Sequence, residues 1–201
     1  MKDERKIICP DNICHIYNRG VEKRTIFCTE EDYNYFLERI IFYREITGVK
    51  LLGYSIMPNH YHFILKEPTL RVEHPKGGYR LNINHFVGSS ISKFMGLLAN
   101  SYTKYFNSKH DHSGRIFQGP FKYKIINSDN YLRKIISYVN LNPLKHKIVK
   151  NIKDWLYTSH HECMDKKNLR LIDGEFLIDF DEYKDSLDSY IKDLEKIDDE
   201  F

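Results

Sequence analysis

The spacing of hydrophobic and polar residues changes repeatedly along the chain between the periods of strands and helices. Runs rich in β-branched and aromatic residues predict strands at 13–20, 49–57, 60–67 and 121–127. Apolar residues at helical spacing predict helices at 29–47, 83–110, 128–142 and 181–197. The turn signal Pro58-Asn59 makes the second and third strands antiparallel neighbours. This order, β-α-β-β-α-β-α, predicts an α+β fold with a central antiparallel β-sheet and helices packed on it.

The ends of these elements depend on a few punctuating residues. Thr29 and Ser128 are good N-cap residues, and Gly48 follows the first helix. Pro143 has no backbone N–H, so we expect it to limit the helix that begins at Ser128. Residues 68–82 contain two prolines and a Gly-Gly pair, which predict a loop.

Length and composition are those of a globular protein with one good core. The 201 residues contain no apolar run near the roughly 18 residues of a membrane span, and the N-terminus lacks a signal-like segment. We therefore expect a cytoplasmic protein. The four cysteines form no CxxC pair, and we interpret them as small hydrophobic residues.

Charge is unevenly distributed along the chain. Residues 173–201 carry twelve Asp/Glu and three Lys, a balance of −9, so a total of +3 leaves +12 for residues 1–172. A basic body favours a polyanionic partner such as nucleic acid. The acidic tail suits either a solvated helix or a segment that competes with that partner. Aromatic residues, at 14%, suit stacking on single-stranded bases but also supply core material.

Two short patterns contain candidate chemistry. On a strand, His60 and His62 project to one face and Tyr61 to the other. Two imidazoles on one face can hold a cation, although a half-exposed sheet produces the same alternation. On the helix after Ser128, Tyr138 and Asn142 are four residues apart and share a face. An amide oxygen beside imidazoles suits Mg²⁺ or Mn²⁺, but a core tyrosine and a helix-end asparagine fit the same pattern.

Five ordered blocks together resemble one known family. "MPNHYHFIL" (57–65) resembles the histidine–hydrophobic–histidine (HUH) motif of single-tyrosine HUH transposases, and "YVNLNPLKHKIV" (138–149) resembles the Tyr-x-x-x-Asn-Pro block of REP-associated tyrosine transposases. Three further blocks match in order: "HIYNRG" (15–20), "YFNSKHDHSGRIFQGPFK" (105–122) and "DWLYTSHHEC" (154–163). The resemblance covers nearly the whole chain.

The resemblance implies a ferredoxin/RRM-like HUH nuclease fold and a specific activity. The activity would be that of a metal-dependent endonuclease and strand transferase, a transposase, acting on single-stranded or hairpin DNA. His60, His62 and Asn142 would bind Mg²⁺ or Mn²⁺, and Tyr138 would form a 5′-phosphotyrosine. Residues 1–150 would be the transposase domain and 151–201 a C-terminal extension with an acidic amphipathic helix packed on or near it. A homodimer is also implied.

Two alternatives stay open at this stage. One is a domesticated, non-catalytic module that binds single-stranded nucleic acid on the same scaffold. The other is a replication-initiator nuclease, whose relatives often carry two tyrosines on the nucleophile helix. Tyr131 and Tyr138 are seven residues apart and roughly share a face, but only Tyr138 has an asparagine at the matching offset.

Several side chains in or near the matched blocks are candidates for DNA contacts. They are Arg19, Lys104, Arg115, Gln118, Lys122 and Lys124. Pro120 departs from the family, in which many members have arginine there. We interpret His15 as a hydrogen-bonded sheet residue rather than a third ligand, and His160 and His161 as surface residues.

Overall fold

A computed structural model describes residues 8–69, 89–165, 167, 169–174 and 180–198. In these residues four antiparallel strands form one sheet in the order β2-β3-β1-β4: β1 (Ile13–Arg19), β2 (Lys50–Met57), β3 (His60–Lys66) and β4 (Lys122–Ile126). Five helices accompany the sheet: α1 (Glu30–Thr47), α2 (Ser90–Lys109), α3 (Asp129–Lys145), α4 (His160–Met164) and α5 (Phe180–Asp198). The predicted α+β fold is confirmed. Most of the predicted loop, and the predicted helix start at 83–88, lie outside the described residues.

The predicted helix starts at Thr29 and Ser128 are confirmed, but one predicted end is wrong. Thr29 and Asp32 form a capping box at the start of α1, and Gly48 closes that helix at a φ of 70°. The Ser128 side chain accepts a hydrogen bond from the Tyr131 N–H at 3.2 Å. The helix α3 does not stop before Pro143 but continues to Lys145. A proline inside a helix removes the N–H of its own position and crowds the carbonyl of residue i−4. Here that carbonyl is the one of Val139, and the Asn142 side chain donates to it at 3.4 Å.

The two faces of the sheet are covered by different helices. Tyr61 points to the face under α1, where its ring lies 5.5 Å from that of Phe36 and it is 1% exposed. The helix α2 packs against α1, and the ring of Tyr102 lies 4.8 Å from that of Phe36. The opposite face carries His60 and His62 and is covered in part by α3. The predicted separation of Tyr61 from the two histidines is therefore confirmed.

Strand register adds basic side chains to the histidine face. Side chains of directly paired residues lie on the same face of a sheet. Tyr17 pairs with His62 on one side and with Lys122 on the other, and Arg19 pairs with His60. One face therefore presents imidazole, phenol, guanidinium and ammonium groups from three neighbouring strands.

The C-terminal residues contact α3 through a buried polar network. Asn140 donates to the Tyr183 hydroxyl at 3.0 Å and accepts hydrogen bonds from Thr158 and Ser159 at 2.9 and 2.7 Å. The Nδ1 atom of His160 lies 2.9 Å from the same Tyr183 hydroxyl. His160 is 2% exposed, so our interpretation of it as a surface residue is wrong. A division at residue 150 stays a prediction. None of the helices among the described residues has the length and apolarity to cross a membrane.

Candidate active site

The histidine face borders a groove of about 930 Å³. Five of the residues that line it come from the predicted site and its flanking block: Arg19, His60, His62, Gln118 and Lys122. The groove walls also include the unpredicted side chains of Tyr17, Lys23, Asn59 and His146. The groove thus combines two motif histidines with a cationic rim, which suits a phosphate backbone.

A fixed amide determines which nitrogen of His60 faces outward. Asn59 donates through Nδ2 to the carbonyl of Lys23 at 3.2 Å, which orients its amide oxygen towards His60. The Nδ1 atom of His60 lies 2.6 Å from that oxygen and must be the donor. The lone pair of His60 is therefore on Nε2, the atom that a metal ion would need.

His62 is held in the same way by another histidine. Its Nδ1 atom lies 2.9 Å from Nε2 of His15, and the two rings stack with centroids 5.1 Å apart. If His62 donates through Nδ1, its Nε2 is left with a lone pair. His15, which is buried in the sheet, thus has the hydrogen-bonded role that we expected rather than that of a direct ligand.

Burial keeps these imidazoles neutral. It lowers the pKa of His60 to about 4, and His146 and Arg19 lower it further. Burial and the neighbouring histidines lower the pKa of His62 to about 2, and burial and Lys124 lower the pKa of His15 to about 4. At neutral pH each ring has the uncharged form that metal binding requires.

The helix α3 brings Tyr138 beside the histidines. The Tyr138 ring lies 6.2 Å from the ring of His62 and 6.3 Å from that of His15, edge-on to both. On its other side is a second cavity of about 700 Å³ between α3 and α5, where the ring of Tyr190 lies 6.0 Å away. Among the described residues its hydroxyl has no hydrogen-bond partner. Burial, followed by the charges of Tyr17 and Tyr131, raises the pKa of Tyr138.

Pro143 and Asn142 together leave one amide oxygen free. Because Pro143 has no N–H, the carbonyl of Val139 lacks its usual helical donor. The Asn142 Nδ2 group lies 3.4 Å from that carbonyl and 2.9 Å from the carbonyl of Tyr138, so it donates to both. A carbonyl oxygen can accept a hydrogen bond from the amide nitrogen but not from the amide oxygen. The two carbonyls therefore fix which end of the Asn142 amide is nitrogen and which is oxygen.

The consequence is an unsatisfied oxygen at a predicted ligand position. Asn142 Oδ1 is fully buried and is one of three buried side-chain polar atoms with no partner in the described part of the chain. Buried polar atoms are normally paired, so an unpaired acceptor calls for a partner such as an ion. Asn142 lies one helical turn from Tyr138, as the spacing predicted.

A second group of metal-type donors lies elsewhere, at the start of α1. Cys28, Asp32 and His110 form the one set of three such donors within 4.8 Å of one another among the described residues. The Asp32 carboxylate already accepts from the N–H groups of Cys28 and Thr29, at 2.8 and 2.9 Å. His110 and the Lys109 ammonium lie 3.0 and 3.2 Å from its other oxygen. This carboxylate is saturated and already has a cation, so the set does not fit a metal ion.

The remaining candidates for DNA contacts lie at different distances from the groove. Lys124 pairs with His15 and is exposed on the same sheet face. Arg19 and Gln118 are hydrogen-bonded to each other at the groove. Arg115 is exposed in the segment between α2 and β4, and Lys104 is exposed on α2, in the layer that packs on α1. Neither of these two lines the groove.

Sequence reasoning missed the groups that support the motif residues. Asn59 is adjacent to the HUH motif, and its position in a Pro-Asn turn suggested only a structural role. The pairing of His15 with His62 depends on strand register, which a single sequence does not give. His146 did have a signal, because it lies eight residues after Tyr138 and four after Asn142, on the same helix face.

Comparison with known proteins supports the fold. No family model matches the sequence, and no curated protein does. Among solved structures, a REP-associated tyrosine transposase bound to a REP hairpin matches at 18% identity with a TM-score of 0.61, covering 90% of this chain and 93% of that one. A presumed transposase of Deinococcus radiodurans R1 matches at 14% identity with a TM-score of 0.38, over 69% and 95% of the two chains. The first of these matches shows that the chain has the fold of a REP-associated tyrosine transposase, as the resemblance of its five sequence blocks implied.

Proposed function

We propose that this chain is a transposase of the HUH type, a metal-dependent single-stranded DNA endonuclease and strand transferase. The observation that carries the proposal is the position of Tyr138, whose ring lies 6.2 Å from His62 on a helix that also holds the unpaired Asn142 oxygen. The shared fold with a transposase that binds a REP hairpin supports the same reading and suggests hairpin DNA as the substrate. The chain would act in the cytoplasm.

Tyr138 is the proposed nucleophile. Its hydroxyl loses its proton to solvent as the oxygen attacks the scissile phosphorus, the bond from phosphorus to the 3′ oxygen breaks, and the released 3′ oxygen takes up a proton from solvent. The products are a 5′-phosphotyrosine and a free 3′-OH. Because the covalent link conserves the phosphodiester energy, a 3′-OH of another strand can later attack it and rejoin the DNA.

The residues present fit a divalent ion. His60 and His62 present Nε2 atoms whose opposite nitrogens are held by Asn59 and His15, and Asn142 adds an oxygen that has no partner in the described part of the chain. When bound, Mg²⁺ or Mn²⁺ would offset the charge of the scissile phosphate and favour the deprotonated phenol. This matters because burial raises the pKa of Tyr138 above that of an ordinary phenol.

The basic side chains on the histidine face supply contacts for the DNA backbone. Arg19 follows Tyr17 on the same face of β1, Lys122 is paired with Tyr17 from β4, and both line the groove, while Lys124 lies next along β4. Cationic side chains on one face can contact backbone phosphates without reading bases. The ring of Tyr17 offers a surface on which an unpaired base could stack.

The test is covalent trapping of DNA. The DNA flanking the gene is sequenced, and labelled single strands that carry any imperfect palindrome found there, together with a REP-type hairpin strand, are incubated with the full-length chain and Mn²⁺. We expect a labelled protein band that survives denaturation, and a shorter strand with a free 3′-OH. Tyr138→Phe should abolish both products.

Tyr131→Phe is the matched control, since it removes a hydroxyl from the same helix. Equal adduct formation by Tyr138→Phe would show that the nucleophile is misassigned, and loss of the adduct in Tyr131→Phe as well as in Tyr138→Phe would favour the two-tyrosine class. If no variant or wild-type protein forms an adduct, yet the strand binds equally well after His60→Ala and His62→Ala, the chain is a binding module.

A further inference from the structure

His146 occupies a position that the motif does not assign. It immediately follows α3, one helical turn beyond Asn142 and two turns beyond Tyr138. Its backbone N–H donates to the carbonyl of Asn142 at 2.9 Å, which anchors the main chain at this point. The same helix face therefore carries, in succession, the proposed nucleophile, the unpaired amide oxygen and an imidazole.

The His146 ring lies beside the motif histidines. Its centroid is 4.9 Å from that of His60, in an edge-on arrangement, and both rings line the groove with His62. His60 is held by Asn59 and His62 by His15, but the exposed side chain of His146 has no hydrogen bond within the described residues. It is the one imidazole of these three that can turn without breaking a hydrogen bond.

The groove also lacks a group that metal sites usually contain. None of its lining residues in the described part of the chain is Asp or Glu. An ion held by His60, His62 and Asn142 would therefore have only neutral protein ligands, and fewer charged ligands mean weaker binding. A further neutral donor would strengthen binding and leave the whole charge of the ion available to the phosphate.

We propose that His146 is a further ligand of the divalent ion, completing a set with His60, His62 and Asn142. This inference rests on the proposed function. The nitrogens of the three histidines do not all lie within 4.8 Å of one another, so the proposal requires the free His146 ring to turn inward when the ion binds. Four protein donors would leave two positions of an octahedral ion for substrate oxygen or water.

The proposal predicts a preference between metals. A third imidazole makes the ligand shell richer in nitrogen, whereas Mg²⁺ favours oxygen ligands and retained water. We expect the full-length protein to bind Mn²⁺ more tightly than Mg²⁺. We expect His146→Ala to reduce the ratio of the two affinities.

The test is Mn²⁺ titration of the full-length protein without DNA, with the free ion measured by electron paramagnetic resonance. His146→Ala should weaken binding at least about tenfold, since even outer-shell partners of metal ligands typically contribute 10–100-fold. Nitrogen hyperfine couplings should fall from three imidazoles to two. His161→Ala, which removes an imidazole from α4 outside the groove, should leave both measurements unchanged.

The outcomes separate the inference from the proposed function. If His60→Ala with His62→Ala abolishes Mn²⁺ binding but His146→Ala changes neither affinity nor nitrogen count, the inference is wrong and the proposed metal site stands. If His146→Ala weakens only the metal-free binding of a single strand, His146 is a DNA contact and the inference is also wrong. If Mn²⁺ binding by the wild-type protein does not depend on His60 and His62, both this inference and the proposed metal site are wrong.

Discussion

Two clusters among the described residues contain metal-type donors, and their surroundings differ. At the start of α1, Cys28, Asp32 and His110 lie close together, and every oxygen of the carboxylate is already hydrogen-bonded. At the groove, His60 and His62 line a cavity, and their Nε2 atoms have no hydrogen-bond partner among the described residues. The short distances between donor atoms favour the α1 cluster as a metal site. The availability of donor atoms that are not hydrogen-bonded favours the groove.

The difference follows from what each cluster does in the fold. Asp32 closes the capping box of α1 and joins α1 to Lys109 and His110 at the end of α2, so its charge serves packing. The groove histidines are instead fixed from behind, through one ring nitrogen, and this arrangement leaves the other nitrogen available. A donor set is therefore better identified by its unpaired lone pairs than by its compactness.

The largest expected effect tests this comparison directly through metal binding. Replacing His60 and His62 with glutamine should reduce Mn²⁺ affinity by about 100-fold or more, because two donors are lost together. Replacing Cys28 with serine and Asp32 with asparagine should leave Mn²⁺ affinity unchanged. Calorimetric titration of both double variants provides the measurement, and the opposite result would identify the α1 cluster as the metal site.

The next effect concerns stability. Asp32→Ala removes a buried carboxylate and leaves the N–H groups of Cys28 and Thr29 and the Lys109 ammonium without their acceptor. We expect a loss of about 2–4 kcal/mol in the free energy of unfolding, measured with urea. Cys28→Ser, at an exposed position in the same cluster, should change stability by less than about 0.5 kcal/mol. Equal effects of the two variants would contradict a structural role for Asp32.

The pH dependence of stability provides a finer test of the same carboxylate. Burial alone raises the pKa of Asp32, but hydrogen bonds from His110, from the N–H groups of Cys28 and Thr29, and from Lys109 bring it below its usual value. The unfolded chain therefore binds a proton first, so the contribution of Asp32 is complete above its unfolded pKa of about 3.9 and is lost as pH falls through the folded pKa.

We expect the stability difference between wild type and Asp32→Asn to shrink below about pH 4. Urea unfolding at a series of pH values measures that difference. A difference that is independent of pH down to acid denaturation would mean that the carboxylate charge is not stabilised by its partners.

The fold was largely predictable because its signals are local. Alternation and helical periodicity identified the strands and most helices, and capping residues such as Thr29 and Ser128 marked where α1 and α3 begin. The end of α3 was not predictable by the same rule. The cost of Pro143 inside the helix is offset by the side chain of Asn142, which donates to the freed carbonyl of Val139.

The candidate site was predictable only in its motif residues. His60, His62, Tyr138 and Asn142 came from short spacings and a family resemblance, and whether they bind metal or cleave DNA stays a prediction. The partners that orient them, Asn59 and His15, depend on a turn conformation and on strand register, and both are settled by tertiary packing. His160 was misplaced for a related reason, because its burial depends on Tyr183 in the distant α5.

The smallest expected effect concerns Pro143, which acts on the site only through Asn142. Pro143→Ala supplies an N–H for the carbonyl of Val139, so the Asn142 amide loses one of its two acceptors and its oxygen is less firmly oriented. We expect Mn²⁺ affinity to fall severalfold. Stability should change by no more than about 1 kcal/mol, because the better helix offsets the lost packing of a buried ring.

A double-mutant cycle determines whether that loss acts through Asn142. Asn142→Ala alone should weaken Mn²⁺ binding more than Pro143→Ala does, since it removes the donor itself. In the Asn142→Ala background, Pro143→Ala should then have no further effect on affinity. Additive losses would instead mean that Pro143 acts on the backbone that carries Tyr138 and His146. The proline would then shape the helix as a whole rather than orient one amide.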